Sequence, residues 1–106
     1  MISRIWHGYT SPDKAGDYER LLRKEIFTGI ADRHIDGFRE IQLFRRALGD
    51  DVESVTVMWF DSFDAVRSFA GDDYEQAVVP DAARRLLSRF DERSAHYQVA
   101  ERRPAG

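Results

Sequence analysis

The chain contains no cysteine, which removes disulfides, thiolate nucleophiles, iron–sulfur clusters and cysteine-based zinc sites, and gives no sign of an oxidising compartment. No apolar run approaches the ~20 residues needed to span a bilayer, and Met1-Ile2-Ser3-Arg4 lacks the layout of a secretory signal. A cytoplasmic, membrane-free protein is the expectation. An excess of positive charge is also missing: 16 Lys and Arg stand against 19 Asp and Glu, so little would release counterions from a nucleic-acid backbone, and nucleic acid is not expected as a partner. There is no Gly-x-Ser-x-Gly elbow and no glycine-rich phosphate loop, so serine hydrolase and nucleotide-enzyme readings fall away.

What is present fits one domain. A chain of 106 residues with 42% hydrophobic side chains can bury a core, but a thin one, and a second subunit would help to close it. Ile2 to Tyr9 are rich in β-branched and aromatic residues and read as a strand. Ser11 and Pro12 then offer an N-cap and a first helical residue. Ala15, Tyr18, Leu21, Leu22 and Ile26 recur at helical spacing, and Gly29 is a natural stop, which predicts a helix over about 13–28. Residues 31–37 read as a loop. Phe38 to Ala47 alternates as a strand, with Ile41 and Leu43 on one face and Phe38, Gln42 and Phe44 on the other. Gly49-Asp50-Asp51 turns the chain into Val52–Phe60, the strongest strand pattern in the sequence, so these two strands are expected to pair as a hairpin.

Asp61-Ser62 caps a second helix carrying Phe63, Val66, Phe69 and Ala70 and ending at Gly71. Pro80 opens another helical stretch, predicted over Ala82–Phe90, and Ser94–Val99 closes the fold as a strand. The order is strand, helix, strand, strand, helix, strand. It predicts an α+β, ferredoxin-like βαββαβ sandwich with helices on one face of an antiparallel sheet, spanning residues 1–100, with 101–106 as a frayed tail. Trp6, Met58 and Phe60 share one strand parity while Ile5, Val57 and Trp59 share the other. Both sheet faces thus carry large apolar groups, a pattern that suits one face packed against a second copy of the chain.

Met1-Ile2-Ser3-Arg4-Ile5-Trp6-His7-Gly8, Met58-Trp59-Phe60-Asp61-Ser62, Val66 to Tyr74, and His96-Tyr97-Gln98-Val99 resemble the antibiotic biosynthesis monooxygenase-like group of the dimeric α+β barrel superfamily, over roughly residues 1–100. The resemblance implies a homodimer that packs two sheets together, with a small cavity in each subunit between helices and sheet. It also implies cofactor-independent oxygenation of a small aromatic or polyketide-like substrate, because members of this kind let an electron-rich substrate reduce oxygen directly. Haem-degrading members instead use an Asn on the first strand with a Trp and a His on the second crossover helix. This chain has no Asn at all and no His between residues 62 and 90, so that route is not expected.

His7 and His96 lie on the first and last strands, which are neighbours in such a fold, and an imidazole can act as a base near neutral pH. Tyr74 can donate a phenolic hydrogen bond to a substrate oxygen. These three are the candidate catalytic residues. Trp6, Trp59 and Phe69 are the candidate substrate-binding wall. For each the plainer alternative is packing: a satisfied strand histidine, a structural hydroxyl, a core or interface aromatic. Arg4, Arg45 and Arg46, also on strands, can hold a carboxylate or a developing enolate, although surface roles are the commoner fate of arginine. A three-histidine metal site would need a long reach from loop residue His34, so no metal is expected, and the resemblance implies that no cofactor is used. The competing function is a non-catalytic dimeric ligand-binding or stress-related protein in which these residues only pack.

Overall fold

A computed structural model describes residues 1–106. The chain runs as β1 (Ile2–Thr10), α1 (Pro12–Leu21), a π-helical segment (Leu22–Ile26), α2 (Phe27–Asp32), β2 (Phe38–Leu48), β3 (Asp51–Phe60), α3 (Phe63–Ala70), α4 (Asp81–Arg84), β4 (Arg89–Phe90) and β5 (Ala95–Gln98). All pairings are antiparallel, in the order β2-β3-β1, and the free side of β1 is shared by β4 and β5. The expected ferredoxin-like α+β sandwich is what the chain forms, with helices on one face of a five-stranded sheet.

Register fixes which side chains share a face, because residues directly opposite on antiparallel strands point the same way. Ile2, Arg4, Trp6 and Gly8 oppose Phe60, Met58, Thr56 and Ser54, and these face the helices. Ser3, Ile5, His7 and Tyr9 oppose Trp59, Val57, Val55 and Glu53 on the open face. Beneath the helices the core divides into two clusters. One gathers Ile2, Met58, Phe60, Ala65 and Val66; the other gathers Tyr18, Leu22 and Ala83.

Four local expectations are corrected. The first helix does not stop at Gly29. It continues to Asp32 through a π-helical segment at Leu22–Ile26, because each wall-facing position, Tyr18, Leu22, Ile26 and Ile30, is needed over the sheet. The Ser11 side chain makes no N-cap hydrogen bond; its hydroxyl instead helps to hold the Asp13 carboxyl below its usual range. A β-bulge between Phe38 and Glu40 switches strand parity, so Phe38 pairs with Phe60 on the helix face rather than lying with Gln42 and Phe44. Finally, the helix expected over residues 82–90 is only one turn long. Arg89 and Phe90 leave it to pair with Tyr9 and Gly8, because the free edge of β1 beyond Ile5 offers unpaired backbone groups that a strand can satisfy.

Candidate functional site

The two core clusters do not meet, and the gap between them is a cavity of about 60 Å³. Its floor is the helix face of the sheet: Arg4 and Trp6 from β1, Thr56 and Met58 from β3, Ile41 from β2. Its roof comes from the first helix, where Tyr18 on α1, Leu22 and Ile26 in the π segment and Phe27 and Ile30 on α2 all line it. A straight α-helix advances about 40° for every four residues, so Ile30 would stand about 120° round from Tyr18. The wider π turn takes that rotation back and keeps the series over the sheet. Phe69 closes one end, and Val78 to Pro80 form the rim, where Val78 is half exposed.

Almost every lining group is apolar, which makes Arg4 conspicuous. It is only 4% exposed and no carboxylate pairs with it. Its guanidinium donates to the carbonyl of Tyr74, to that of Gln76 at 3.2 Å, and to Nε2 of His96 at 3.0 Å. The guanidinium carbon stands 5.4 Å from the centre of the Phe69 ring. Burial pushes the Arg4 pKa down to about 10, so the group stays positive at neutral pH. Since a guanidinium can only donate, Nε2 of His96 is the acceptor and its proton sits on Nδ1. That Nδ1 is buried, with the Ser94 backbone as its polar neighbour. Burial first, and the Arg4 charge second, lower the His96 pKa and keep the ring neutral. Tyr74 meets His96 edge-on with ring centres 5.0 Å apart, and Phe63 packs on both.

The structure therefore divides the six sequence-selected residues. Trp6 and Phe69 line the cavity, and His96 and Tyr74 stand behind its Arg4 wall. His7 and Trp59 are on the opposite face of the sheet. His7 Nδ1 is 2.8 Å from Asp91 Oδ2, and Trp59 Nε1 donates to Gln42 Oε1 at 2.9 Å. His7 and His96 belong to adjacent strands but to opposite parities, so they do not form a pair. No three His, Asp or Glu side chains converge as a metal ligand set.

Two contributors lay outside the sequence reading, and a third, Arg4, stood in it only as one of three strand arginines able to hold a carboxylate or enolate. Tyr18 reads as an ordinary helix-core residue, yet it is 1% exposed and lines the cavity. Burial raises its pKa, which keeps it a neutral donor. Ser94 also lines the cavity, and its buried hydroxyl has no partner. Arg4 was visible as a strand arginine. The missing signal was its lack of a counter-ion, which only the packed structure reveals.

No family model matches the chain, and no curated protein matches it. Solved structures do. A Bacillus cereus protein provisionally named an antibiotic biosynthesis monooxygenase superposes with a TM-score of 0.70 at 15% identity, covering 98% of this chain and 97% of that one. Rv0793 from Mycobacterium tuberculosis superposes with a TM-score of 0.58 at 22% identity, covering 99% and 98%. The chain thus has, over nearly its whole length, the ferredoxin-like α+β fold of antibiotic biosynthesis monooxygenase-like structures.

Proposed function

We propose that the protein is a cofactor-independent monooxygenase of the antibiotic biosynthesis type, acting as a homodimer in the cytoplasm on a small aromatic or polyketide-like substrate. The observation that carries this reading is the cavity between helices and sheet, apolar and aromatic in lining, with an imidazole and a phenol behind its one charged group. Its place corresponds to the cavity that the resemblance implies. Trp6 and Phe69 would flank a flat ring. His96 is the group nearest Arg4 that can take up a proton, and Tyr74 holds its ring in place.

The chemistry balances without a bound group. An activated ring methylene loses a proton, the resulting anion passes electrons to dioxygen, and a C–O bond forms to give a hydroperoxide. Loss of water leaves a carbonyl, with one oxygen atom in the product and the other in water. The absence of cysteine is in keeping with a reducing compartment. Dimerisation is supported by the open face, where Phe44, Leu48 and Tyr97 are exposed at 51%, 38% and 56%.

The second reading, a ligand-binding protein without chemistry, is favoured by one specific observation. The acceptor nitrogen of His96 is already engaged by Arg4, which weakens it as a base. Oxygen uptake separates the two. With anthrone as substrate the enzyme reading predicts uptake above the uncatalysed rate, one labelled oxygen per product from ¹⁸O₂, and a fall of about 10²-fold in His96→Gln. Uptake equal to the buffer blank would leave the binding reading standing and remove the enzyme.

A further inference from the structure

Arg4 is the point at which the cavity departs from an ordinary core. A guanidinium offers five N–H donors, and three are used here, by Tyr74, Gln76 and His96. Nε–H and one Nη2 hydrogen have no acceptor in the protein. Every acceptor that Arg4 does have is neutral. Several surface arginines behave differently: Arg39, Arg46 and Arg93 each hold a carboxylate. The lining of the cavity includes no Asp and no Glu, so the charge is unbalanced where water is scarce, an arrangement that costs the fold stability unless something completes it. One buried polar atom on the wall is also unpartnered, Ser94 Oγ. Tyr18 lines the same cavity. Buried polar groups that the protein leaves unsatisfied together in one cavity are what a ligand with the complementary groups would satisfy.

We propose that the cavity binds its ligand as an oxyanion, a carboxylate or the ionised hydroxyl of a phenol or enol, with the negative oxygen on Arg4 and an apolar body along Trp6 and Phe69. The inference rests on the cavity being the ligand site, and it holds whether or not oxygenation comes after binding. It assigns the stabilisation of the substrate anion to Arg4 and gives His96, beside the proton uptake proposed above, a positioning role: its Nε2 steers one guanidinium hydrogen and leaves the others for the ligand. It also sets a size. About 60 Å³ is room for about two water molecules at ~30 Å³ each, enough for an anionic head and not for a whole ring. A ring system must extend past Val78 at the rim.

The test compares charged and neutral probes of one shape by calorimetry: benzoate against benzamide, with wild type and Arg4→Met. Arg4→Met keeps the length of the side chain and removes its charge, and the wild-type comparison stands by itself if that variant fails to fold. A second probe, 4-nitrophenol, reports by absorbance the ionisation of its own hydroxyl. The expected result is benzoate bound at least about tenfold more tightly than benzamide, loss of that preference in Arg4→Met, and a bound 4-nitrophenol that ionises at lower pH than the free compound. A preference confined to one probe supports the proposal and names the carboxylate or the hydroxyl as the source. Equal binding of benzoate and benzamide, or a benzoate preference unchanged in Arg4→Met, overturns the oxyanion assignment while leaving the cavity as a ligand site. Binding of none of the three probes overturns both.

Discussion

His96 couples the site to pH. In an unfolded chain it titrates near 6.5; in the fold, burial and the Arg4 charge lower its pKa. As pH falls the unfolded chain takes up that proton first, so the stabilisation from a neutral His96 is present above 6.5 and is lost as pH falls from there through the lower folded value. His96→Gln is expected to lose stability less steeply than wild type just below pH 6.5 in urea titrations, and equal slopes would contradict the assignment. Glu53 and Asp61, held below their usual values of 4.5 and 3.8 by Arg46 and Arg39, act in a separate and more acidic window. At this scale the sequence was partly legible. Trp6 and Phe69 could be chosen because large aromatics near strand ends and on crossover helices seldom face water. His7 was indistinguishable from His96, because parity alone decides which face a strand residue takes, and the parity of β5 against β1 is a register that no local pattern fixes.

The elements show where periodicity succeeds and where it fails. The hairpin of β2 and β3 and the Ser62 cap were readable, and the Ser62 Oγ does accept from the Ala65 backbone N–H at 3.2 Å. The π segment was not readable, since its apolar positions fit an α-helical stripe nearly as well as a wider turn. Nor was the Phe38–Glu40 bulge, which gives no sign in composition. Irregularities of this kind cost hydrogen bonds locally and persist because of what they aim, here the roof of the cavity and Phe38. The turn into β2 depends on Gly37, whose φ is +83° and whose Cβ, if it had one, would stand 2.8 Å from the Ala65 Cβ of α3. Gly37→Ala combines a left-handed backbone with a clash against a buried wall, and is expected to cost about 2–3 kcal/mol in urea unfolding. A cost below about 0.5 kcal/mol would mean that the turn relaxes freely.

At the scale of the whole molecule the open face of the sheet remains to be explained. Val57 is 6% exposed between Ile5 and Trp59, and small Ser3 is buried where Trp59 and Tyr97 flank it on the neighbouring strands. Around this apolar centre stand polar groups paired among themselves: His7 with Asp91, and Glu53 with Arg46 and Tyr9. An apolar centre with a satisfied polar rim is the composition of a protein interface. The alternation of large apolar residues on both parities made this much legible in the sequence. The partner's orientation was not, because nothing in one chain records it. Phe44→Glu, half exposed on this face, is expected to leave monomer stability within about 0.5 kcal/mol while separating the subunits.

Native mass spectrometry of the protein purified without added ligand, then mixed with benzoate, tests the central claim that the molecule is a sheet-to-sheet pair with one oxyanion cavity in each copy. The prediction is a mass of two chains that takes up one benzoate per chain, and a single chain for Phe44→Glu that still takes up one. A wild-type spectrum of single chains, or of pairs that take up no benzoate, would contradict it.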